Sequence, residues 1–427
     1  MIRIFRYGEV PNSEIFARSV PTSDVSGPVS EIIENIRKNG DRALIEYALR
    51  FDKAQLTSLK VSEEEIDDAF EAADPEFIRI LERAAENIRR FHRMQLREGF
   101  TIEGPDGVIM GQKIIPIEKA ALYIPGGTAS YPSTVLMSAI PAKLAGCSTV
   151  VMVSPPSSDG SINPAILVAA RIAGIDSIYK TGGAQAIAAL AYGTETVPKV
   201  DKIVGPGNAY VQEAKRQVFG EVSIDMIAGP SEILIVADKT ASARVTAADL
   251  LSQAEHDRNS SAVLVTDSMD FAMDVSSEIE DQIPALLRKD IARASIDNNG
   301  KIIVADDIIK AIDIANEIAP EHFELCIDDP FRYLDLIKNA GSVFLGHDCP
   351  EALGDYMAGP NHTLPTSGTA RFSSPLSVDD FIKKTQFTYF TKEALSGLAR
   401  DVEAFANVEG LTGHAKSAVI RFEEDGK

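Results

Sequence analysis

An α/β protein with doubly wound parallel sheets is the fold class that the sequence predicts, and three observations predict it. From about residue 114, short apolar runs alternate with segments of helical length over more than two hundred residues. Such alternation places parallel strands under helices on both faces. The chain has 427 residues, 45% hydrophobic and 25% charged, which suffices for more than one buried core. Nine candidate strands are more than one sheet comfortably holds, so two doubly wound units are expected.

The first hundred or so residues read as helices. Segment 30–38 carries Ile32, Ile33 and Ile36 on one face and stops before Gly40, a residue suited to a left-handed cap. Ser62 with Glu65 forms a capping box ahead of Ile66 and Phe70. Asp74-Pro75 caps a longer helix on which Phe77, Leu81, Ala84, Ala85, Ile88 and Phe91 recur at helical spacing. The expected strands are 120–124, 149–153, 177–180, 202–204, 232–236, 262–265, 301–304, 323–327 and 342–345. Helices are expected at 133–145, 165–172, 245–254 and 308–318. After about residue 375 the pattern reverts to helix, starting at Ser377-Val-Asp-Asp380, with two more helices near 392–405 and 411–420. That tail is too short for a large core of its own and must dock on the body or on a second subunit.

Composition narrows the partners. Lys and Arg number 42 against 63 Asp and Glu, a formal net charge of −21 that repels phosphate backbones and anionic membranes. No apolar run approaches the ~20 residues of a spanning helix, and the opening residues lack the apolar core of a secretion signal. Cys147, Cys326 and Cys349 form no disulfide framework, so a reducing cytoplasm is expected.

Four segments could carry chemistry. Gln253 and His256, three apart at a helix end, could grip one ion or simply finish a polar helix. Glu321-His322 stands between a helix and an apolar strand. It offers an imidazole able to take a proton and a carboxylate able to orient water, or two loop residues facing solvent. Asp355, Asn361 and His362 crowd a turn shaped by Gly359-Pro360 and Pro365, as a site or as a structured turn. Glu409 and His414 sit in the tail and could complete a neighbour's site, but on this segment alone a solvated turn with one exposed His is the better reading. Glycine turns at Gly126-Gly127, Gly182-Gly183 and Gly205-Pro206-Gly207-Asn208 could bring amides near a phosphate, but none fits G-x-G-x-x-G.

Taken in order, Tyr123-Ile-Pro-Gly-Gly127, Gly182-Gly-Ala-Gln185, Gly205-Pro-Gly-Asn208, Ala228-Gly-Pro-Ser-Glu232, Asp249-Leu-Leu-Ser-Gln-Ala-Glu-His256, Pro320-Glu-His322, Gly354-Asp-Tyr356 with Asn361-His362, and Glu409-Gly-Leu-Thr-Gly-His414 resemble the histidinol dehydrogenases. The resemblance runs from about residue 25 almost to the end. It implies two incomplete Rossmann-like domains with small helical N- and C-terminal pieces. These would be an arm at 1–22, a first domain of 23–122 plus 232–375, a second at 123–231, and a tail at 376–427 crossing to a partner in a homodimer. It implies oxidation of L-histidinol to L-histidine through an aldehyde, with two NAD reduced and one Zn2+ per subunit. By resemblance the zinc ligands are Gln253, His256, Asp355 and His414, the base is His322, and Glu321 activates water. Ser231, His362 and Glu409 match substrate contacts beside the zinc ligands and His322, while Tyr123, Gln185 and Asn208 match NAD contacts. Gly413 departs from an alanine common in the family, and His347-Asp-Cys349 belongs to none of its motifs. The rival reading is a paralogous zinc- and NAD-dependent dehydrogenase of another small alcohol. A zinc hydrolase would not explain Tyr123, Gln185 and Asn208, and a scaffold would not need His322.

Overall fold

The computed structural model describes residues 1–18, 24–126 and 131–423; Gly127, the last residue of the Tyr123 motif, lies outside them. Two compact units are distinguished, Met1–Gln95 with Ile117–Phe381, and Leu96–Pro116 with Ile382–Lys427.

In the first unit, β1 (Arg3–Arg6) and a single turn, α1 (Asn12–Ile15), precede three helices, α2 (Ser26–Tyr47), α3 (Glu63–Ala72) and α4 (Pro75–Arg93). α2 is broken at Gly40 (φ 49°, ψ −131°), the expected stop, but resumes to Tyr47. The capping box at α3 is present, Glu65 N–H donating to Ser62 Oγ at 3.1 Å and Ser62 N–H to Glu65 Oε2 at 2.9 Å. Asp74 caps α4, with Pro75 at its first position.

The alternating part follows as β4 (Lys119–Tyr123), α5 (Pro132–Ala145), β5 (Thr149–Ser154), α6 (Pro164–Ala173), β6 (Ser177–Lys180), α7 (Gly183–Tyr192), β7 (Lys202–Val204), α8 (Ala209–Val218) and β8 (Ser223–Ile224). It continues as β9 (Glu232–Ala237), α9 (Ala243–Ala254), β10 (Ser261–Thr266), α10 (Met269–Gln282), α11 (Lys289–Asn299), β11 (Lys301–Val304), α12 (Ile308–Ile318), β12 (His322–Cys326), β13 (Ser342–Leu345) and a short α13 (Glu351–Leu353). The strands form two parallel sheets of orders β6-β5-β4-β7-β8 and β1-β11-β10-β9-β12-β13. From β4 in one and β9 in the other, the chain winds outward to one side and then to the other, as in Rossmann folds, so each sheet has a switch point, at β4/β7 and at β9/β12. Residues of α9, α10 and α11 cover one face of the six-stranded sheet, and Ala311, Ile312, Ile314 and Ala315 of α12 cover the other.

Three expectations are corrected. Val29, Ile33, Ile36, Leu44 and Tyr47 of α2 share a core with Ala121, Val151, Ile187 and Ile203. α2 and β4 thus belong with the five-stranded sheet rather than with 232–375: β4 starts that sheet at Lys119, and α2 buries its apolar face there. The N-terminal arm is no independent piece, because Arg3–Arg6 extends the six-stranded sheet beside β11. After Ser377 comes one 3-10 turn, Val378–Phe381, and then a strand rather than a helix.

That strand belongs to the second unit. There β2 (Phe100–Glu103), β3 (Ile109–Pro116) and β14 (Ile382–Tyr389) form an antiparallel sheet of order β14-β3-β2. Two helices follow, α14 (Lys392–Val408) and α15 (Thr412–Val419), close to the expected ranges. No helix among the described residues is long and apolar enough to cross a membrane.

Candidate active site

Two neighbouring strand starts build the site. His322 opens β12 in register with Ile233 of β9, so Glu321-His322 and Ser231-Glu232 enter the sheet together. Phe323 and Leu325 point into the α12 side of the core, which turns His322 and Glu324 to the opposite face. His322 Nδ1–H donates to the Glu232 carbonyl at 3.1 Å, and Glu232 N–H donates to Glu321 Oε2 at 2.8 Å. The first bond leaves a lone pair on His322 Nε2, which is buried and has no hydrogen-bond partner.

α9 brings Gln253 to the same place. Ala247, Leu250, Leu251 and Ala254 pack into the core, and Gln253 in the last turn is fully buried. Its Nε2 lies 3.1 Å from His322 Nδ1, where two donors face each other once Nδ1–H is given to the Glu232 carbonyl, and its Oε1 is buried without a partner. His256 follows the helix end, its N–H bonded to the Gln253 carbonyl at 3.2 Å. The residue is exposed at the helix end, and desolvation, with the fields of Arg288 and His362, disfavours protonation of its ring.

Asp355 and His362 come from one compact turn. α13 widens into a π turn, Gly354–Ala358, that Gly359 ends at φ 109°. Asp355 Oδ1 stands 3.9 Å from His322 Nε2 and 3.7 Å from His362 Nδ1. His362 Nδ1–H donates to the Asp355 carbonyl at 3.1 Å, and its Nε2 faces Thr134 Oγ1 of α5 at 3.2 Å. Both nitrogens of His362 are therefore engaged, whereas Nε2 of His322 is free. This difference separates a holding imidazole from one able to accept a proton.

Burial dominates the electrostatics. It pushes His322 down to about 3, opposed by the Glu232 carbonyl bond and assisted by His256 and His362. It pushes His362 down to about 4. Glu321 is raised well above its ordinary value, chiefly by burial, with the Glu232 N–H bond opposing. Burial also raises Asp355 to about 6, and it raises Glu351 to about 8 with help from the Asp355 charge. Neutral imidazoles beside carboxyls that resist ionisation form a set that a divalent cation would stabilise. One buried oxygen without a partner, Gln253 Oε1, fits such an ion as well. One donor atom each from His322, Glu351 and Asp355 also lies within 4.8 Å of the others.

Of the expected ligands, Gln253 and Asp355 therefore flank His322, and His256 closes the α9 end. His414 lies in the first turns of α15 and Glu409 at the C-terminal end of α14, both in the second unit. Glu351 was not expected. It is buried, its N–H donates to Glu324 Oε1 at 2.7 Å, and its Oε2 accepts from Ser252 Oγ at 2.8 Å. Its spacing four residues before Asp355 was the available signal. Thr134 carried none.

The expected nucleotide contacts gather at the other sheet. Tyr123 ends β4, Gln185 lies in the first turn of α7, and Asn208 caps α8, all at the carboxyl edge of the five-stranded sheet. Gly183 N–H donates to Tyr123 Oη at 3.1 Å. Asn208 Oδ1 accepts from the N–H groups of Tyr210 and Val211 at 3.1 and 3.2 Å, so what it can offer a ligand is its Nδ2–H donors. The glycine turns pack tightly on neighbouring backbone and side chains: a Cβ on Gly182 would meet Pro155 at 2.6 Å, and one on Gly205 would meet the Tyr123 carbonyl oxygen at 2.2 Å. This edge carries the β4/β7 switch point, where open α/β sheets ordinarily bind their ligands. Asn361 Nδ2 binds the Met137 carbonyl of α5 at 2.6 Å, so the turn of the six-stranded layer is pinned to the five-stranded one.

The sequence model of the histidinol dehydrogenase family matches residues 17–422. A histidinol dehydrogenase of Clostridium acetobutylicum is 51% identical over 427 residues, covering 99% of each chain. One of Lactiplantibacillus plantarum is 55% identical over 399 residues, covering 93% of each. The crystal structure of histidinol dehydrogenase from Elizabethkingia anophelis superposes with a TM-score of 0.94 at 43% identity, covering 99% of this chain and 98% of that one.

Gly359 is the hinge of the Asp355–His362 turn. At φ +109°, a Cβ there would sit 2.6 Å from the Asn87 carbonyl oxygen. Gly359→Ala is expected to cost ~1–3 kcal/mol and to lower the melting temperature by several degrees. A variant as stable as the parent would show that this glycine does not hold the turn.

Proposed function

The chain belongs to the histidinol dehydrogenase family, and on that premise we propose that its cleft carries histidinol to histidine in two successive oxidations, with zinc holding the substrate and NAD taking hydride. As a member of that family it is an oxidoreductase acting on histidinol in histidine biosynthesis. When bound, zinc supplies a positively charged anchor for the imidazole and amine of the substrate, and NAD supplies the hydride acceptor.

Gln253, His256, Asp355 and His414 would hold the ion. Supporting this are the partnerless Gln253 Oε1 and the Asp355 carboxylate on either side of His322. Tyr123, Gln185 and Asn208 would hold the nucleotide. The observation that carries the mechanism is the free, buried Nε2 of His322, held in one tautomer by the Glu232 carbonyl. This nitrogen takes the hydroxyl proton as hydride departs. Glu321, fixed by the Glu232 N–H, takes a proton from the water that adds to the aldehyde while His322 returns its proton to the carbonyl oxygen, and His322 Nε2 then takes a hydroxyl proton of the resulting diol as the second hydride leaves for a second NAD. Ser231, His362 and Glu409 orient the substrate. An ion bound through His322, Glu351 and Asp355 instead would take the lone pair that this reading needs.

We read the second unit as belonging to a homodimer. Leu398, Val402, Phe405 and Val408 make an exposed apolar stripe along α14 at helical spacing. A second copy covering it would let each tail deliver Glu409 and His414 to the other's site. Free Cys147, Cys326 and Cys349 suit the reducing cytoplasm.

Counting NADH formed per histidinol consumed tests the chemistry: two are expected, and one would overturn the four-electron reading. His322→Asn is expected to lower turnover by about 100- to 10,000-fold with zinc content unchanged; near-normal turnover would remove His322 from the mechanism. A mixture of His322→Asn and His414→Ala subunits should regain activity as hybrid dimers form. Confirmed hybrids without activity would mean that each site is built from one chain.

A further inference from the structure

The carboxyl end of β7 is held by an arrangement that stability alone does not explain. Lys215 of α8 is fully buried and forms an ion pair with Asp225, whose side chain is also buried. Both partners grip one residue. Lys215 Nζ donates to the Gly205 carbonyl at 3.0 Å, and Gly205 N–H donates to Asp225 Oδ2 at 2.8 Å. Gly205 stands at φ +121° against the Tyr123 carbonyl, so no side chain could anchor this backbone from within. One turn earlier on the same helix, buried Gln212 donates from Nε2 to the Gly207 carbonyl at 3.2 Å and accepts the Ala228 N–H on Oε1 at 3.0 Å.

Burying a lysine and an aspartate removes two charges from water, and apolar residues of similar volume often serve stability as well or better. What apolar residues cannot do is bind both peptide groups of Gly205. Gln212 in turn joins two loops, Gly205–Asn208 and Ala228–Ser231, that share no strand.

We propose that the buried polar face of α8, Lys215 with Asp225 and Gln212, is a positioning device that sets the Gly205–Asn208 loop for the nucleotide and ties it to the loop bearing Ser231. The proposal rests on the reading of Asn208 as a nucleotide contact and Ser231 as a substrate contact. None of the three residues touches the reacting atoms. They act by fixing backbone that would otherwise adjust at each binding event, which lowers the ordering needed to bind.

The test uses the full-length, zinc-loaded enzyme and three variants. Lys215→Met/Asp225→Leu keeps the buried volume and removes the grip on Gly205. Gln212→Met removes only the tie between loops, and Asn208→Ala controls for the underlying reading. The double variant is expected to melt within a few degrees of the parent, to bind NADH about tenfold more weakly by calorimetry, and to exchange the Gly205 amide hydrogen faster. Gln212→Met is expected to raise KM for both NAD and histidinol while kcat stays near the parent's. A folded double variant with parental NADH affinity overturns the proposal. So does Gln212→Met with both KM values unchanged, and that variant decides alone if the double variant fails to fold. If Asn208→Ala leaves NADH affinity unaltered, the reading of the nucleotide edge fails instead.

Discussion

The hydrogen bond from His322 Nδ1 to the Glu232 carbonyl joins the first residues of two adjacent parallel strands, and the rest of the site depends on it. Parallel register sets it, since pairing His322 with Ile233 brings the Glu232 carbonyl under the ring. Shifting β12 by one residue would turn His322 to the α12 side and bring Phe323 into the cleft. Sheet formation thus selects the tautomer of the imidazole, and the tautomer leaves the lone pair on Nε2. Glu232 serves this corner twice, by its carbonyl to His322 and by its N–H to Glu321. Its own carboxylate is held by Arg18 and by the Ser367 N–H, so the strand start is fixed from several directions.

Burial of acids is the second constraint. Glu321, Glu324, Glu351, Asp355 and Asp249 all have raised pKa values, with desolvation the largest cause in each. Carboxyls gathered away from water resist ionising together, and a bound cation relieves that resistance. On the proposed function the two sheets would divide the work: the five-stranded sheet would hold the nucleotide at its carboxyl edge, as open α/β sheets ordinarily do, whereas Glu321 and His322 stand at the paired amino ends of β9 and β12.

Much of this was legible in the sequence because local signals were strong. Buried parallel strands read as plain apolar runs, and the capping box at Ser62 and the cap at Asp74 mark helix starts by chemistry that needs no tertiary context. β14 was missed: Asp380 ties back to Ser377 N–H at 2.8 Å, giving a helix-start signal, and the strand beyond it exists only because β3 lies alongside. The placement of α2 could not be read either, since an amphipathic helix does not say which sheet will cover it. Gln253, His256, His322 and Asp355 were visible as scarce polar groups at element ends. Glu351, Gln212, Lys215 and Thr134 were not, because each acts through a partner tens to hundreds of residues away or through backbone of another loop.

The central claim, that Gln253 and Asp355 share one cation while His322 Nε2 stays free, is tested most directly by crystallography at the zinc absorption edge on the zinc-loaded enzyme with histidinol bound. The account predicts an anomalous peak at bonding distance from Gln253 Oε1 and Asp355, with His322 Nε2 outside the coordination shell and near the substrate hydroxyl. A peak bonded to His322, Glu351 and Asp355, with Gln253 uninvolved, would contradict it.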